Sequence, residues 1–277
     1  MNIRCSMLPG WNDCPRRAAA KQYGRLIGGA GFEIRRTQPS VGAAVGTAVH
    51  SAIAAVLRRR QSGAVREWTA ADMESALASF REEVKTGCEW DDTTPNALAA
   101  ELQIKSLATA ILNNLGDAEP VLIEHEIKAS LSNGWMLTGH IDLLDDAKTL
   151  TDWKTGALAR PYIAQTGGYV LALEANGQEV SKAGNLFAKR VRANKPQPEP
   201  EWREHDLATA RKSAWSTIKS IQETMERFAE KRNPYAIPAN PMSLMCSPKY
   251  CPAFGTEFCK VHEPLVAGNP INPHAEI

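Results

Sequence analysis

Two hydrophobic rhythms divide this chain. From residue 15 to about 117 the apolar positions recur at helical spacing; from 118 to about 195 they alternate or run together as strands do. Pro15 opens a helix on which Arg17, Lys21 and Arg25 recur every four residues, placing three positive charges on one face. A loop rich in Gly and Pro follows, from Gly28 to Gly46. The stripe Val45, Val49, Ile53, Val56 and Leu57 then predicts a helix with one apolar face. Thr69 is placed to cap a helix reaching about Lys85, and Thr94-Pro95 to begin another reaching about Leu115. These two read as a structural amphipathic pair.

The second block changes period. Val121, Ile123 and Ile127 lie in a strand-like run, VLIEHEIKASL. Asn133-Gly134 is a hairpin dipeptide, because both residues tolerate the positive φ a tight turn needs, and the returning run is WMLTGHIDLL. Asp145-Asp146 makes the next turn, before the short strand TLTDWKT. Pro161 opens a helix to about Asn176, and AGNLFAKRVR is a further strand. Three strands, a helix and another strand indicate an α/β fold with a mixed sheet under helical cover. Asp206 is placed to cap a long helix from Leu207 to about Glu230, and residues 263–277 read as a loose tail.

Composition narrows the class. At 277 residues and 43% hydrophobic, the chain can bury a substantial core. Thirty-two Lys and Arg against 31 Asp and Glu leave a charge of +1, which excludes an electrostatic glue of the histone kind. The sequence has no run of about 18 apolar residues, and MNIRCSMLPGW lacks the apolar stretch of a signal peptide. The expectation is a cytoplasmic protein with no membrane partner. In a reducing compartment its six cysteines are then ligands or buried thiols rather than disulfides. Cys246, Cys251 and Cys259 form a compact trio, which needs a fourth ligand to complete a four-thiolate site.

The informative stretch is Gly139-His140-Ile141-Asp142, nine residues, then Asp152-Trp153-Lys154. With the turn at Asp145-Asp146, Asp142 and Asp152 project near each other at one end of a hairpin. Two converging carboxylates repel unless a cation neutralises them, and hard divalent metals prefer oxygen ligands. Lys154 lies two residues beyond Asp152 and so on the same face. An ammonium there can orient a water and stabilise charge developing on a phosphate. Taken singly, each residue also has a plain structural role: the aspartates as turn residues, His50 as a core histidine beside the apolar stripe, Gln165 as a surface amide, Tyr169 as a core aromatic. Glu124 and Glu126 could assist, but they alternate with Ile123, His125 and Ile127 and could equally face solvent, so both stand outside the expected ligand set.

In order and spacing this pattern resembles the PD-(D/E)XK nuclease superfamily, particularly its RecB-like and Cas4-like branch. There, a strand ending in G-x-x-D precedes a strand with D-x-K and a helix with Q-x-x-x-Y. These motifs stand here as Gly139 to Asp142, Asp152 to Lys154, and Gln165 to Tyr169, and Gly46-Thr47-Ala48-Val49-His50 resembles the branch's upstream histidine helix. The resemblance implies a restriction-endonuclease-like mixed sheet flanked by helices, as a single nuclease domain over 1–277. Within it, 47–117 would be helical, 118–195 would carry the catalytic sheet and helix, and 240–262 the cysteine segment packed against the N-terminus.

It further implies Asp142, Asp152, His50 and the Trp153 carbonyl as ligands of Mg2+ or Mn2+. Lys154 would position or activate the attacking water, and Gln165 and Tyr169 would border the site. Cys14-Pro15-Arg16-Arg17 resembles the branch's Cys-Pro-Arg entry, so Cys14, Cys246, Cys251 and Cys259 would hold a [4Fe-4S] cluster. Zinc is the rival occupant and Cys5 the rival to Cys14. The implied activity is sequence-independent exonucleolytic cleavage of DNA, single-stranded ends favoured, in recombination, repair or CRISPR adaptation, with a homo-oligomer or partner protein as a possible source of processivity. Arg17, Lys21 and Arg25 are candidate phosphate contacts, as are Lys189, Arg190, Arg192 and Lys195. The alternative is a non-catalytic Fe–S DNA-binding or assembly subunit that retains the fold.

Overall fold

Strand β3 (Met136–Asp145) is the hub of a six-stranded mixed sheet. Strand β2 (Pro120–Ser130) runs antiparallel along one edge of it. Two strands divide the other edge. Strand β1 (Asn2–Arg4) pairs parallel with residues 136–138, and β4 (Thr149–Gly156) pairs antiparallel only at Leu143 and Leu144. Between these contacts β3 and β4 diverge, leaving a fork at Gly139 to Asp142. Strand β4 continues parallel to β5 (Lys182–Lys189), which pairs antiparallel with β6 (Glu201–Glu204).

This computed structural model describes residues 1–63 and 69–261; the tail expected at 263–277 lies outside them. The chain divides into two compact units, one of residues 1–6 and 38–215, the other of 7–37 and 216–277. The first unit contains the whole sheet. One face of the sheet is covered by helices α4 (Val41–Gln61), α5 (Ala70–Lys85) and α6 (Ala97–Leu115), whose apolar stripes share a core with Leu143, Trp153, Leu186 and Ala188. Helix α7 (Ile163–Ala175) packs against β2, β3 and β5.

Local chemistry sets these helices. Ser40 caps α4 by accepting from the Ala43 N–H, and Arg58, Arg59 and Arg60 complement the dipole in its last turn. Although no such segment was expected, α4 is long and apolar enough to cross a membrane by length and composition; here Val45, Val49, Ile53 and Leu57 are fully buried in the core. Thr69 and Asp72 form a capping box on α5. Asn96, rather than Thr94, caps α6, because the Thr94 hydroxyl is engaged with Gln103 and Arg190.

The second unit joins both ends of the chain: α1 (Leu8–Asp13), α2 (Pro15–Gln22), α3 (Gly24–Gly29), the later part of α8 (Leu207–Lys231) and the segment beyond it. Arg16 Nε donates to the Ile237 carbonyl at 2.9 Å, and Phe32, Phe228 and Phe258 cluster with ring centroids 5.7–6.3 Å apart. Tyr23 separates α2 from α3, so Arg25 does not continue the face that carries Arg17 and Lys21.

Candidate active site

The fork between β3 and β4 gathers the titratable side chains. Asp142 lies on β3 where the strands part, and its Oδ2 accepts from the Trp153 N–H at 2.8 Å. The N–H and carbonyl of one strand residue point to the same edge, so the Trp153 carbonyl also faces the fork. His50 on α4 reaches in from the helical face, with Nδ1 3.1 Å from Asp142 Oδ1 and 3.2 Å from Glu124 Oε1. Among the described residues, His50, Glu124 and Asp142 are the group whose ligand atoms all lie within 4.8 Å of one another.

Glu124 completes this group, although it stands outside the ligand set that the sequence predicts. The pairs on either side of it, Ile123 with Leu143 and His125 with Ile141, set it beside Asp142, and both carboxylates meet the His50 ring. The Glu124 backbone has φ of 42°, a left-handed conformation inside a strand, which is a strained arrangement typical of functional positions. Its other oxygen, Oε2, is 2.9 Å from His140 Nδ1, a ring exposed at the mouth of the fork.

Asp152 is almost completely buried, and three donors surround it. Lys154 Nζ is 2.8 Å from Oδ1, Gln165 Nε2 is 3.5 Å from the same oxygen, and Asn185 Nδ2 is 2.6 Å from Oδ2. Gln165 also donates to the Tyr169 hydroxyl at 2.7 Å, one helical turn along α7. Tyr169 lies flat on β3 because residue 139 is glycine: a Cβ there would stand 2.8 Å from the ring and 3.1 Å from Cys5 Sγ. The Lys154 ammonium lies 5.0 Å from the centre of the Tyr162 ring.

Burial pushes the Asp152 carboxyl up, and Asp142 adds to this while Lys154 opposes it; the result is about 6. For His50 burial disfavours the charged ring, but Asp142 and Glu124 outweigh it and push the pKa up to about 10. Lys154 is likewise raised: burial works against its charge and the two aspartates prevail. His50 therefore keeps its proton at neutral pH, with Nδ1 beside the Asp142 and Glu124 oxygens. The ligand atoms of His50, Glu124 and Asp142 suit a hard or borderline ion. Because His50 must lose its proton to become a ligand, Mn2+ binding at pH 8 is expected to release close to one proton. Titration calorimetry in buffers of different ionisation enthalpy measures that release, and Glu124→Gln lowers it.

A family model described as the PD-(D/E)XK nuclease superfamily matches residues 5–255. The chain belongs to that superfamily. No curated protein matches it. Among solved structures, this superfamily member is similar to a candidate exonuclease from Eubacterium rectale, at 13% identity, a TM-score of 0.52, and coverage of 88% of this chain and 86% of that one. It also matches an alkaline exonuclease from Laribacter hongkongensis, at 14% identity and a TM-score of 0.30 over 66% of this chain and 93% of that one. At such identity the first likeness shows the fold alone, a central mixed sheet flanked by helices.

Six of the side chains expected in this superfamily site, His50, Asp142, Asp152, Lys154, Gln165 and Tyr169, are brought together in the first unit. Two of the expected phosphate contacts are corrected. Arg190 is buried and forms a two-pronged ion pair with Asp91, at 2.7 and 3.1 Å. Arg17 is buried in α2 and pairs with Asp13 at 2.6 Å. Lys21, Arg25, Lys189, Arg192 and Lys195 are at the surface.

Cys14, Cys246, Cys251 and Cys259 meet in the second unit, close enough for their charges to interact. Burial raises Cys246, and the charges of Cys14 and Cys259 raise it further; Cys251 is pushed up to about 11, by burial first and by the other three thiols. The Asn240 N–H points at Cys14 Sγ, 3.4 Å away. Cys5 belongs to the other unit, buried against Gly139.

Proposed function

We propose that this chain is a metal-dependent exonuclease that hydrolyses DNA phosphodiester bonds without strong sequence preference, single-stranded ends favoured. The observation that carries the reading is the convergence at one strand fork of a ligand group, His50, Glu124 and Asp142, with a buried Asp152–Lys154 pair. A Mg2+ or Mn2+ ion held there supplies Lewis-acid polarisation and lowers the pKa of an attacking water. Lys154, kept protonated by the aspartates, orients that water and offsets charge developing on the phosphate. Gln165 and Asn185 hold Asp152, and Tyr162 shields the ammonium from bulk water. A silent, DNA-binding relative has no use for this complete charged set in a buried fork. The preference for ends rests on the RecB-like and Cas4-like resemblance, with the Eubacterium rectale neighbour's name as a lesser support.

The four gathered thiols support a [4Fe-4S] cluster on the same resemblance.

The test is degradation of end-labelled single-stranded DNA by anaerobically purified protein with Mg2+ or Mn2+, beside a chelator control and a closed circular substrate. Loss of linear DNA only with metal is expected; cleavage that survives chelation, or intact DNA with both metals, overturns the reading. Run between pH 5 and 8, the same assay reads Asp152. Its folded pKa of about 6 lies above the ordinary aspartate value of about 3.9, so the shift stabilises the metal-free fold below about 3.9 and that contribution is lost as pH rises through 6. A cation reverses the preference. The rise in melting temperature on adding Mn2+, and the cleavage rate, should therefore both fall as pH drops through about 6.

A further inference from the structure

Behind Asp152, away from Lys154, a two-residue hydrogen-bond chain leads out of the site. Asn185 stands directly beside Asp152 in the parallel β4–β5 register, so the two side chains share a face. It is 2% exposed. Its Nδ2 donates to Asp152 Oδ2 at 2.6 Å, and its Oδ1 lies 2.7 Å from His205 Nε2. An amide turned the other way would set its oxygen against a carboxylate oxygen, two acceptors facing each other. The observed orientation therefore requires a donor at His205, with its proton on Nε2.

His205 is itself fixed. Its backbone N–H donates to the Ala183 carbonyl at 2.9 Å, beside β5, and the next residue, Asp206, caps α8 through the Thr209 N–H at 2.8 Å. The imidazole thus sits between two anchored elements and has one ring nitrogen committed to Asn185.

We infer that Asn185 and His205 are positioning residues: His205 locks the Asn185 amide, and the amide holds the Asp152 carboxylate in the rotamer that faces the fork. A buried carboxylate with one oxygen released can rotate about its last bond or draw Lys154 out of line. Either motion misplaces the charge that the cation and the attacking water meet. Partners behind a ligand carry effects of about 10- to 100-fold on metal affinity or activity in general. The inference rests on the nuclease reading above, and its test separates the two.

The experiment uses the full chain and four variants: Asn185→Leu, Asn185→Ala, His205→Ala and His205→Gln. Mn2+ affinity is measured without DNA, and cleavage of labelled single-stranded DNA is measured alongside. Both Asn185 variants are expected to lose about 10- to 100-fold in Mn2+ affinity and in turnover, with the KM for DNA unchanged. His205→Ala moves in the same direction by less. His205→Gln recovers most of that loss, because a glutamine Nε2 can donate where the histidine Nε2 does. The glutamine–alanine contrast is what a merely structural role does not produce, and it remains readable even if the Asn185 variants fold poorly. Unchanged Mn2+ affinity in the His205→Ala protein, or equal losses for His205→Ala and His205→Gln, overturns the inference. If the unaltered protein binds Mn2+ yet leaves DNA intact, the nuclease reading fails while the Mn2+ affinities still decide the positioning roles.

Discussion

Lys154→Ala is expected to cut DNA hydrolysis by about 10²- to 10³-fold while leaving the protein folded, the scale seen when one preorganised charge-stabilising donor is removed from an active site. The ammonium has two partners, the Asp152 carboxylate at 2.8 Å and the face of Tyr162 at 5.0 Å from its centre. Removing it leaves Asp152 buried beside Asp142 with one fewer cation, which pushes the Asp152 pKa further up and makes the carboxylate harder to ionise. The variant should therefore need more Mn2+ for its residual activity as well as turn over slowly. Lys154→Arg is expected to rescue little, since a planar guanidinium is wider than an ammonium and presents its donors in a fixed fork. Single-turnover rates at saturating Mn2+ separate the chemical loss from the metal-binding loss. Equal degradation by Lys154→Ala and the unaltered protein would place the activity elsewhere.

The sequence was most readable where a long period or a constrained turn speaks for itself. Helices α4, α5 and α7 and strands β2 to β5 follow the rhythm of their apolar positions, and Asn133 and Gly134 adopt the positive φ angles their types allow, 57° and 71°. Strands β1 and β6 went unseen because three or four residues are too few to show a period. Glu124 alternates with Ile123, His125 and Ile127, so the sequence leaves its face open and only the strand register settles it. A two-residue loop at Asn133-Gly134 pairs Glu124 with Leu143 and turns it away from Asp142. The observed pairing of Ser130 with Met136 leaves a five-residue connection, shifts the register by one, and moves Glu124 to the face of Asp142. A difference of one in the register thus decides whether Glu124 faces away from Asp142 or toward it. Arg17 and Arg190 show the same limit for charge. A run of basic residues shows how much charge is present, but burial against Asp13 or Asp91 is set by contacts between distant parts of a unit.

Cys251→Ser is expected to give a colourless protein that unfolds well below the unaltered one, whose anaerobic preparation should be brown with a broad visible absorption band. Cys14 is separated from the nearest other thiol of the set, Cys246, by more than two hundred residues, so a bound cluster closes a very long loop. By analogy with disulfide cross-links this closure contributes at most about 5 kcal/mol. Burial first, and the charges of the neighbouring thiols after it, make Cys246 and Cys251 hold their protons more tightly than usual. The occupied and empty forms then differ both in covalent closure and in the charge the second unit must accommodate. Cys14→Ser should reproduce the loss, whereas Cys5→Ser should keep its colour, since Cys5 is buried in the other unit against Gly139. A colourless unaltered protein carrying stoichiometric zinc would overturn the cluster, and a brown, equally stable Cys251→Ser protein would remove Cys251 from the ligand set and with it the clamp between the chain's two ends.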